Sequence, residues 1–289
     1  MDARLTEPLE IWSPLLPMQH MRINAHEAAD QFALEVERLA YRQRLDVFLP
    51  SREAGAALTS DALRTGIRLE SVVRVAADVA AYSDEAIQIV KDDYRPVLHC
   101  KKACTYCCRK PGVLVSVPEL LRVLDYVRTH FDDPVVSALR ERSTRYAAQV
   151  DGRDVNQPSA ESVPCPLLVD DLCSVYEARP LVCRGYNSTD VEACRRAHDD
   201  PDILVPTFAP LKDVTDGATV GMVQRLAAAG FSEAMVDLGS ALHVALADDG
   251  CAEAIVRGEQ DLTPVERRSW VAELWTLVSE TAASVGVRV

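Results

Sequence analysis

Nine cysteines constrain this chain more than any other feature, because eight of them fall into two groups. The first group places four thiols within nine residues, and the second spreads four over thirty residues. In chain order the eight are Cys100, Cys104, Cys107 and Cys108, then Cys165, Cys173, Cys183 and Cys194. Free cysteine is common in apolar cores, but such dense clustering is not the usage of a core. We therefore predict that these eight thiols are metal ligands.

Hydropathy and net charge predict the cellular compartment of the protein and the classes of partner that it lacks. The first twenty residues contain no charged segment followed by an apolar core, and no run of about 18 apolar residues occurs anywhere. These patterns predict a cytoplasmic protein without a membrane partner, in which thiols stay reduced and clustered cysteines indicate metal or redox chemistry. The 44 acidic residues outnumber the 31 basic ones, giving a net charge of −13. Because this charge repels phosphate backbones, we expect no nucleic-acid partner.

The apolar pattern predicts a mainly α fold with irregular, cysteine-rich metal-binding loops. Apolar residues recur at helical spacing over residues 27–48 and 59–90, and again behind a capping box formed by Ser116 and Glu119. Alternating strand patterns are scarce, and residues 112–117 are the best short example. We divide the chain into an N-terminal arm with helices (1–95), a cysteine-cluster region (96–200) and C-terminal helices (201–289), which we expect to form one compact unit.

The cysteine spacing leaves the number of metal centres open. If Val97 to Lys110 is helical, offsets of 0, 4, 7 and 8 place the first four thiols on one helix face, and if the segment is a loop, the same thiols can wrap a cluster. The second group, with gaps of seven, nine and ten residues, resembles a long loop folded back over the first. The side chains of the adjacent Cys107 and Cys108 diverge, so they bind two metal centres more easily than one. Alternatively, one of them is a ligand and the other packs against the protein. Eight thiols fill either two four-thiolate sites or one site plus structural thiols.

Two stretches of the chain resemble a known family. They are the motif Cys104-Thr-Tyr-Cys107-Cys108 and a later stretch that contains Cys165-Pro-Leu-Leu and runs from Asp171 to Tyr186. In the later stretch Cys, Tyr, Arg-Pro and Cys-Arg-x-Tyr follow in order. The stretches resemble the YkgJ-type cysteine-cluster proteins, described as a putative zinc- or iron-chelating domain, over about residues 96–200. The resemblance implies metal or cluster binding but no single reaction. Three residues separate Cys100 from Cys104, where that family more often has two.

Two enzyme classes share parts of this pattern. A more distant similarity to flagellin lysine methylases implies an iron–sulfur centre and group transfer. The sequence Cys100-Lys-Lys-Ala-Cys104-Thr-Tyr-Cys107 also fits the radical S-adenosylmethionine signature, in which three thiolates hold a [4Fe–4S] cluster. That signature normally follows the first strand of a β/α barrel. Here about a hundred mainly helical residues precede it and no βα alternation follows, so the context argues against a radical enzyme.

Several other side chains are predicted to surround the metal. Arg109, Arg179 and Arg184 either hydrogen-bond to sulfur and offset negative charge, or stack on Tyr176 or Tyr186, two residues that pack in the loop and screen the site. His99 adjoins Cys100 and is an alternative ligand, although a position beside the ligands or in solvent is more typical. The other histidines, His20, His26, His130, His198 and His243, show no ligand spacing. Cys251 is predicted to be an ordinary core thiol.

These observations predict a cysteine-liganded metal-binding protein that holds an iron–sulfur cluster, or alternatively zinc, in a helical scaffold. Spacing alone does not separate the two metals, but the number of cysteines, the irregular gaps and the CxxxCxxC subset favour iron. A redox or group-transfer role with a protein or small-molecule partner would follow. The alternatives are an iron–sulfur-dependent enzyme of the methylase or radical type, and a structural-zinc interaction module, whose closed site would leave the function to the helices.

Overall fold

The computed structural model describes residues 25–152, 162–200, 202–267 and 270–289. It confirms the mainly α fold. The helices are α1 (Ala25–Ala62), α2 (Leu69–Tyr94), α3 (Val117–His130), α4 (Asp133–Val150), α5 (Leu181–Gly185), α6 (Val191–Asp199), α7 (Ala209–Ala228), α8 (Leu238–Ala245), α9 (Cys251–Val256) and α10 (Val271–Ser284). The short strands are β1 (Leu114–Ser116), β2 (Leu168–Val169), β3 (Leu172–Cys173), β4 (Met235–Asp237) and β5 (Glu266–Arg267). Single 3₁₀ turns lie at Leu63–Thr65, Cys107–Arg109, Tyr176–Ala178 and Thr263–Val265.

The central helix of the fold is α7, which is buried on every side from Asp213 to Val223. It packs along α1 at very short range, because glycine supplies the contact surface. A Cβ placed on Gly221 would lie 1.9 Å from the carbonyl oxygen of Arg52, and one on Gly217 would lie 2.3 Å from that of Phe48. Arg44 of α1 also donates two hydrogen bonds to the Asp213 carboxylate, at 2.8 and 2.9 Å. Helices α2 and α10 pack against the same central pair.

The first two helices differ from the predicted boundaries. Instead of helices over 27–48 and 59–90, α1 continues unbroken to Ala62 and passes through Pro50. An interior proline costs about 3 kcal/mol, and the packing of α1 on α7 outweighs this cost. The chain breaks instead at Gly66, whose φ of 98° favours glycine, before α2 begins at Leu69. The N-terminal arm up to residue 24 lies outside the described residues.

A second core lies between α3, α4 and α8, and two strand-to-helix units build it. Strand β1 pairs antiparallel with β4, so that Leu114 is opposite Asp237, and β4 also pairs with β5. The predicted strand within 112–117 and the predicted capping box are confirmed: Ser116 donates from its amide and hydroxyl to Glu119 at 2.9 and 2.7 Å. At the start of α8 the arrangement is reversed: Asp237, the residue before the helix, accepts hydrogen bonds from the amide and the hydroxyl of Ser240. None of the helices in the described ranges combines the length and apolar content needed to cross a membrane.

Candidate metal centre

The first cysteine group lies on an irregular segment, so the helix considered for Val97 to Lys110 does not form. Helix α2 ends at Arg95 in a left-handed conformation, with φ of 47°. Pro96 follows, and a residue before proline is disfavoured in the helical region. The chain then runs without regular structure to the single 3₁₀ turn Cys107–Arg109. The four thiols therefore do not share one helix face, and they can contact different parts of the later segment.

Backbone hydrogen bonds join the second cysteine segment to the first. The amide of Cys165 donates to the carbonyl of Cys108 at 2.8 Å, and the amide of Val163 donates to that of Arg109 at 3.1 Å. Beyond this contact the chain forms the β2–β3 hairpin, in which Leu168 pairs with Cys173. Its tip, Asp170 and Asp171, has φ values of 49° and 60°, which acidic turn residues tolerate. The hairpin therefore brings Cys173 back towards Cys165 and Cys108.

Four thiols interact with one another in every pairing, and we call them the inner thiols: Cys108, Cys165, Cys173 and Cys183. Burial, with a smaller contribution from negative charge on Cys108 and Cys173, raises the pKa of the Cys165 thiol to about 12. Burial also raises the pKa of the Cys183 thiol well above its usual value, with added contributions from the other three. Thiols that resist ionisation when alone, yet lie together, are favourable ligands for a cation, since its charge offsets both the burial and the repulsion.

The inner thiols combine members of both sequence groups, and a second set lies nearer the surface. We call this second set the outer thiols: Cys100, Cys104 and Cys194. Burial raises the pKa of the Cys100 thiol, and charge on Cys104 and Cys194 raises it further. The amide of Ser188 donates to the sulfur of Cys100 at 3.2 Å, two residues before Asp190 caps the helix that carries Cys194. The structure thus groups Cys108 with the later cysteines and Cys194 with the earlier ones.

Cys107 lies between the two sets. Its sulfur is 4.0 Å from that of Cys108. The contact with Cys108, together with burial, raises the pKa of the Cys107 thiol, and either sulfur can be the donor between them. Charge on Cys183 and Cys104 acts on Cys107 as well, so both sets are within its electrostatic range.

The predicted surrounding residues occupy distinct positions. Arg109 donates to Thr105 Oγ1 at 3.1 Å and to Asp171 at 2.5 Å, which ties the 3₁₀ turn to the hairpin tip. Arg184 donates to the carbonyls of Arg179 and Glu177, at 2.9 and 2.7 Å, and forms an ion pair with Asp84. These bonds order the loop between β3 and α5 and connect it to α2.

The two tyrosines lie in different surroundings. Tyr176 is exposed and lies under the guanidinium of Arg179, 4.2 Å from its ring centre, which is the stacking alternative that the sequence left open. Tyr186 lies on the outer side. Burial raises the pKa of its hydroxyl, and charge on Cys107, Cys194 and Cys100 raises it further.

Three further residues complete the comparison with the prediction. His99 is exposed, and its Nδ1 accepts a hydrogen bond from the amide of Val191 at 3.2 Å. Cys251 is buried, with its sulfur 3.7 Å from Gln260 Oε1. The third of these residues is His198. It follows Cys194 by four residues on α6, which is same-face helical spacing. Its Nδ1 is buried without a hydrogen-bond partner among the described residues.

The donor chemistry fits a thiolate-bound metal, although the side chains are not arranged around one point. Within the described residues, no three His, Cys, Asp or Glu side chains are placed to hold a metal ion as they stand. Sulfur donors in this number suit iron–sulfur clusters and zinc. Nε of Arg179 is a second buried polar atom without a hydrogen bond in the described chain. Burial raises the pKa of the Cys173 thiol, and the positive charge of Arg179 partly opposes this rise. Guanidinium groups of this kind offset the negative charge of a thiolate centre.

Comparison with known proteins agrees with this chemistry. Residues 99–200 match the model of the CxxCxxCC family, described as a putative zinc- or iron-chelating domain. This segment is similar to a CxxCxxCC domain. The match confirms the resemblance carried by Cys104-Thr-Tyr-Cys107-Cys108 and by the later cysteine stretch. No curated protein and no solved structure matches the chain. The CxxCxxCC domain therefore supports metal binding by a cysteine-rich segment, flanked on both sides by helices outside the matched range.

Proposed function

We propose that the CxxCxxCC domain holds an iron–sulfur cluster on the inner thiols, within a helical scaffold, and that the protein has a redox or group-transfer role. One observation carries the proposal: the amide of Cys165 donates to the carbonyl of Cys108 at 2.8 Å, and the β2–β3 hairpin returns Cys173 opposite Leu168, so that cysteines from segments more than fifty residues apart meet in one region. Charge on these three thiols also raises the pKa of Cys183. Four thiolates are the ligand set of [2Fe–2S] and [4Fe–4S] clusters.

The surroundings of the inner thiols favour a negatively charged centre. The positive charges of Arg179 and Arg184 act on Cys173, and Arg109 acts on Cys108. Hydrogen bonds and positive charge near cluster sulfurs adjust the reduction potential. Such a centre supplies one-electron transfer, while this chain's residues hold its ligands and limit the access of water. Exchange of electrons or groups would require a protein or small-molecule partner, and the net charge of −13 disfavours nucleic acid.

Structural zinc is the second candidate, and the burial of the inner thiols favours it. A four-thiolate zinc site is closed and stabilises the local fold without taking part in a reaction. The exposed helical surfaces of α1 and α2 would then carry the function by binding a partner.

Metal analysis distinguishes these candidates. We would purify the protein without oxygen, measure iron, zinc and acid-labile sulfide, and record the absorption spectrum. Iron with sulfide and a broad band near ~400 nm supports the cluster. Zinc alone, in a colourless protein that unfolds on chelation, supports the structural site. The absence of all metal would contradict both candidates.

A further inference from the structure

Three irregular segments lie side by side next to the cysteines, namely residues 95–100, 186–190 and 202–208. The amide of His99 donates to the carbonyl of Ser188 at 2.8 Å, which joins the first segment to the second. The amide of Thr189 donates to the carbonyl of Pro206 at 3.1 Å, which joins the second to the third. The middle segment also reaches a thiol, because the amide of Ser188 donates to the sulfur of Cys100 at 3.2 Å.

Each of these segments carries an exposed apolar side chain. The exposed fraction is 75% for Val97, 41% for Tyr186 and 91% for Leu204. Tyr94, at the end of α2, is 40% exposed, and its ring lies 5.7 Å from that of Phe208 in the third segment. Single exposed apolar side chains are common, but a group on neighbouring segments is typical of a surface that binds another molecule. We call Tyr94, Val97, Tyr186 and Leu204 the apolar patch.

A positively charged turn follows the first of these segments, and we call residues 101–104 the basic turn. The amide of Cys104 donates to the carbonyl of Lys101 at 3.1 Å and closes the turn. Ala103 has a φ of 65°, a left-handed conformation that usually requires glycine at this place in a turn. Lys101 and Lys102 are exposed, and neither side chain forms an ion pair with another described residue. The turn therefore presents two free positive charges to the solvent.

The sequence around the basic turn is unusual for this chain. Residues 95–110 contain five basic residues and no acidic one, although the whole chain has a net charge of −13. The chain has only five lysines, and three of them lie in this segment. An acidic partner would be repelled by most of this protein's surface and attracted to this part of it.

The apolar patch is also close to the inner thiols. Tyr186 ends α5, where its amide donates to the carbonyl of Val182 at 3.1 Å. The same helix carries Cys183, three residues before Tyr186, which corresponds to about 4.5 Å of helical rise. A molecule bound on the patch would therefore lie near the centre that we propose on the inner thiols.

We propose that the apolar patch and the basic turn bind a protein electron-transfer partner whose acidic surface surrounds an apolar centre. An apolar core with a charged rim is the usual composition of a protein interface. Complexes of redox proteins bury little area, and opposite charges direct the two proteins together. One electron would pass from the reduced centre of the partner to the oxidised cluster of this chain. The electron transfer rests on the proposed function, whereas the binding requires only this surface.

The first test measures binding, and its probe is a plant-type [2Fe–2S] ferredoxin, chosen for its acidic surface. The full chain should bind immobilised ferredoxin, and the Kd should rise at least about tenfold between about 50 mM and about 500 mM NaCl. Lys101→Glu/Lys102→Glu should raise the Kd at least about tenfold at low salt. Leu204→Ser should raise it at least about threefold at both salt concentrations, because it removes apolar contact area.

The matched control makes the same change of charge at the opposite end of α2. Arg64 and Arg74 are exposed and pair with Asp61. Arg74 lies twenty residues before Tyr94 on α2, a distance of about 30 Å along the helix. Arg64→Glu/Arg74→Glu should bind ferredoxin within about twofold of the wild type.

The second test measures electron transfer in protein purified without oxygen. Reduced ferredoxin should bleach the absorption of the cluster near ~400 nm. Lys101→Glu/Lys102→Glu should slow this reaction at least about tenfold at low salt, and the control variant should not. Excess dithionite should still reduce the centre completely in both variants, which shows that the centre is intact.

The outcomes separate this proposal from the function on which it rests. Equal ferredoxin affinity in the lysine variant and in the control variant would overturn the binding surface and leave the cluster in place. A wild-type dimer that Leu204→Ser converts to a monomer would also overturn it, because the patch would then bind a second copy of this chain. A wild-type chain that binds ferredoxin through Lys101 and Lys102 but contains no iron would overturn the proposed function, and the electron transfer with it.

Discussion

Glu119 of α3 accepts a hydrogen bond from the backbone amide of Leu181, the first residue of α5, at 2.7 Å. The other carboxylate oxygen accepts from both the amide and the hydroxyl of Ser116. A single buried carboxylate thus caps α3 and anchors the short helix that carries Cys183. The position of one inner thiol therefore depends on a side chain sixty residues earlier that is not itself a metal ligand.

Replacing Glu119 should destabilise the protein and loosen α5. Glu119→Ala leaves the amides of Ser116 and Leu181 without an acceptor, and a buried unsatisfied donor costs about 1–3 kcal/mol. Glu119→Gln keeps one acceptor oxygen and should lie between alanine and the wild type. Urea denaturation gives the stabilities, and the rate of Cys183 alkylation in the metal-free protein reports on α5. The exposed Glu85→Ala of α2 is the control, expected within about 0.5 kcal/mol of the wild type. Equal effects at both positions would contradict the anchoring role.

The contact between α1 and α7 should tolerate no side chain at Gly221. The added methyl of Gly221→Ala would overlap the carbonyl of Arg52, which is backbone and cannot rotate away. Overpacking of a tight core costs about 1–3 kcal/mol, and thermal or urea denaturation would measure the loss. Gly250→Ala is the matched control, because a Cβ there meets only the carboxylate of Asp248, at 3.3 Å. A stable Gly221→Ala protein would mean that the two helices are farther apart.

The sequence predicts the parts of this fold that depend on contacts between neighbouring residues, but not the parts that depend on contacts between distant ones. The box of Ser116 and Glu119 is local, so spacing alone revealed it. The course of α1 through Pro50 was not predictable, because the stabilising contacts come from α7, more than 150 residues later. For the same reason the local pattern left a helix and a loop both open for Val97 to Lys110, and the structure shows the irregular alternative.

The candidate site shows the same division. The eight cysteines were visible in the sequence, but their grouping was not. The hydrogen bond from the Cys165 amide to the Cys108 carbonyl places Cys108 beside the later cysteines. The spacing of cysteines along the sequence does not predict such a contact. The four-residue spacing of Cys194 and His198 is visible in the sequence, and helix α6 places both residues on one helix face.

Protonation of Asp216 should produce a measurable pH dependence of stability. Burial raises the pKa of this carboxyl; Lys212 and Arg44 oppose the rise and Asp213 adds to it. Because the folded state binds this proton more tightly than the unfolded chain, the contribution to stability is full below the unfolded pKa of about 3.9. It is lost as the pH rises through the raised folded value.

Comparison with Asp216→Asn isolates this effect. The free energy of unfolding of the wild type, minus that of Asp216→Asn in the same buffers, should fall as the pH rises from about 4 to 7. Guanidinium denaturation at several pH values would measure the difference, and other titrating groups cancel in the subtraction. A difference that increases with pH would contradict the raised pKa.

Removing the metal should loosen the CxxCxxCC domain while leaving the α1–α7 core intact. The described parts of residues 98–116 and 162–200 contain short elements joined by a few hydrogen bonds, so a ligated metal would supply much of their order. The core is held by buried apolar contacts and by the close glycine packing of α7, and no cysteine takes part in that packing. Hydrogen exchange read by mass spectrometry should therefore accelerate at least about tenfold in the domain's peptides and stay unchanged in those of α7.

Cys251→Ser is the control for this experiment. It should retain the metal and the slow exchange of the domain, since the sulfur of Cys251 contacts Val244 and Gln260 rather than another thiol. Uniform acceleration across the chain would show instead that the metal stabilises one cooperative unit, with the α1–α7 pair dependent on it.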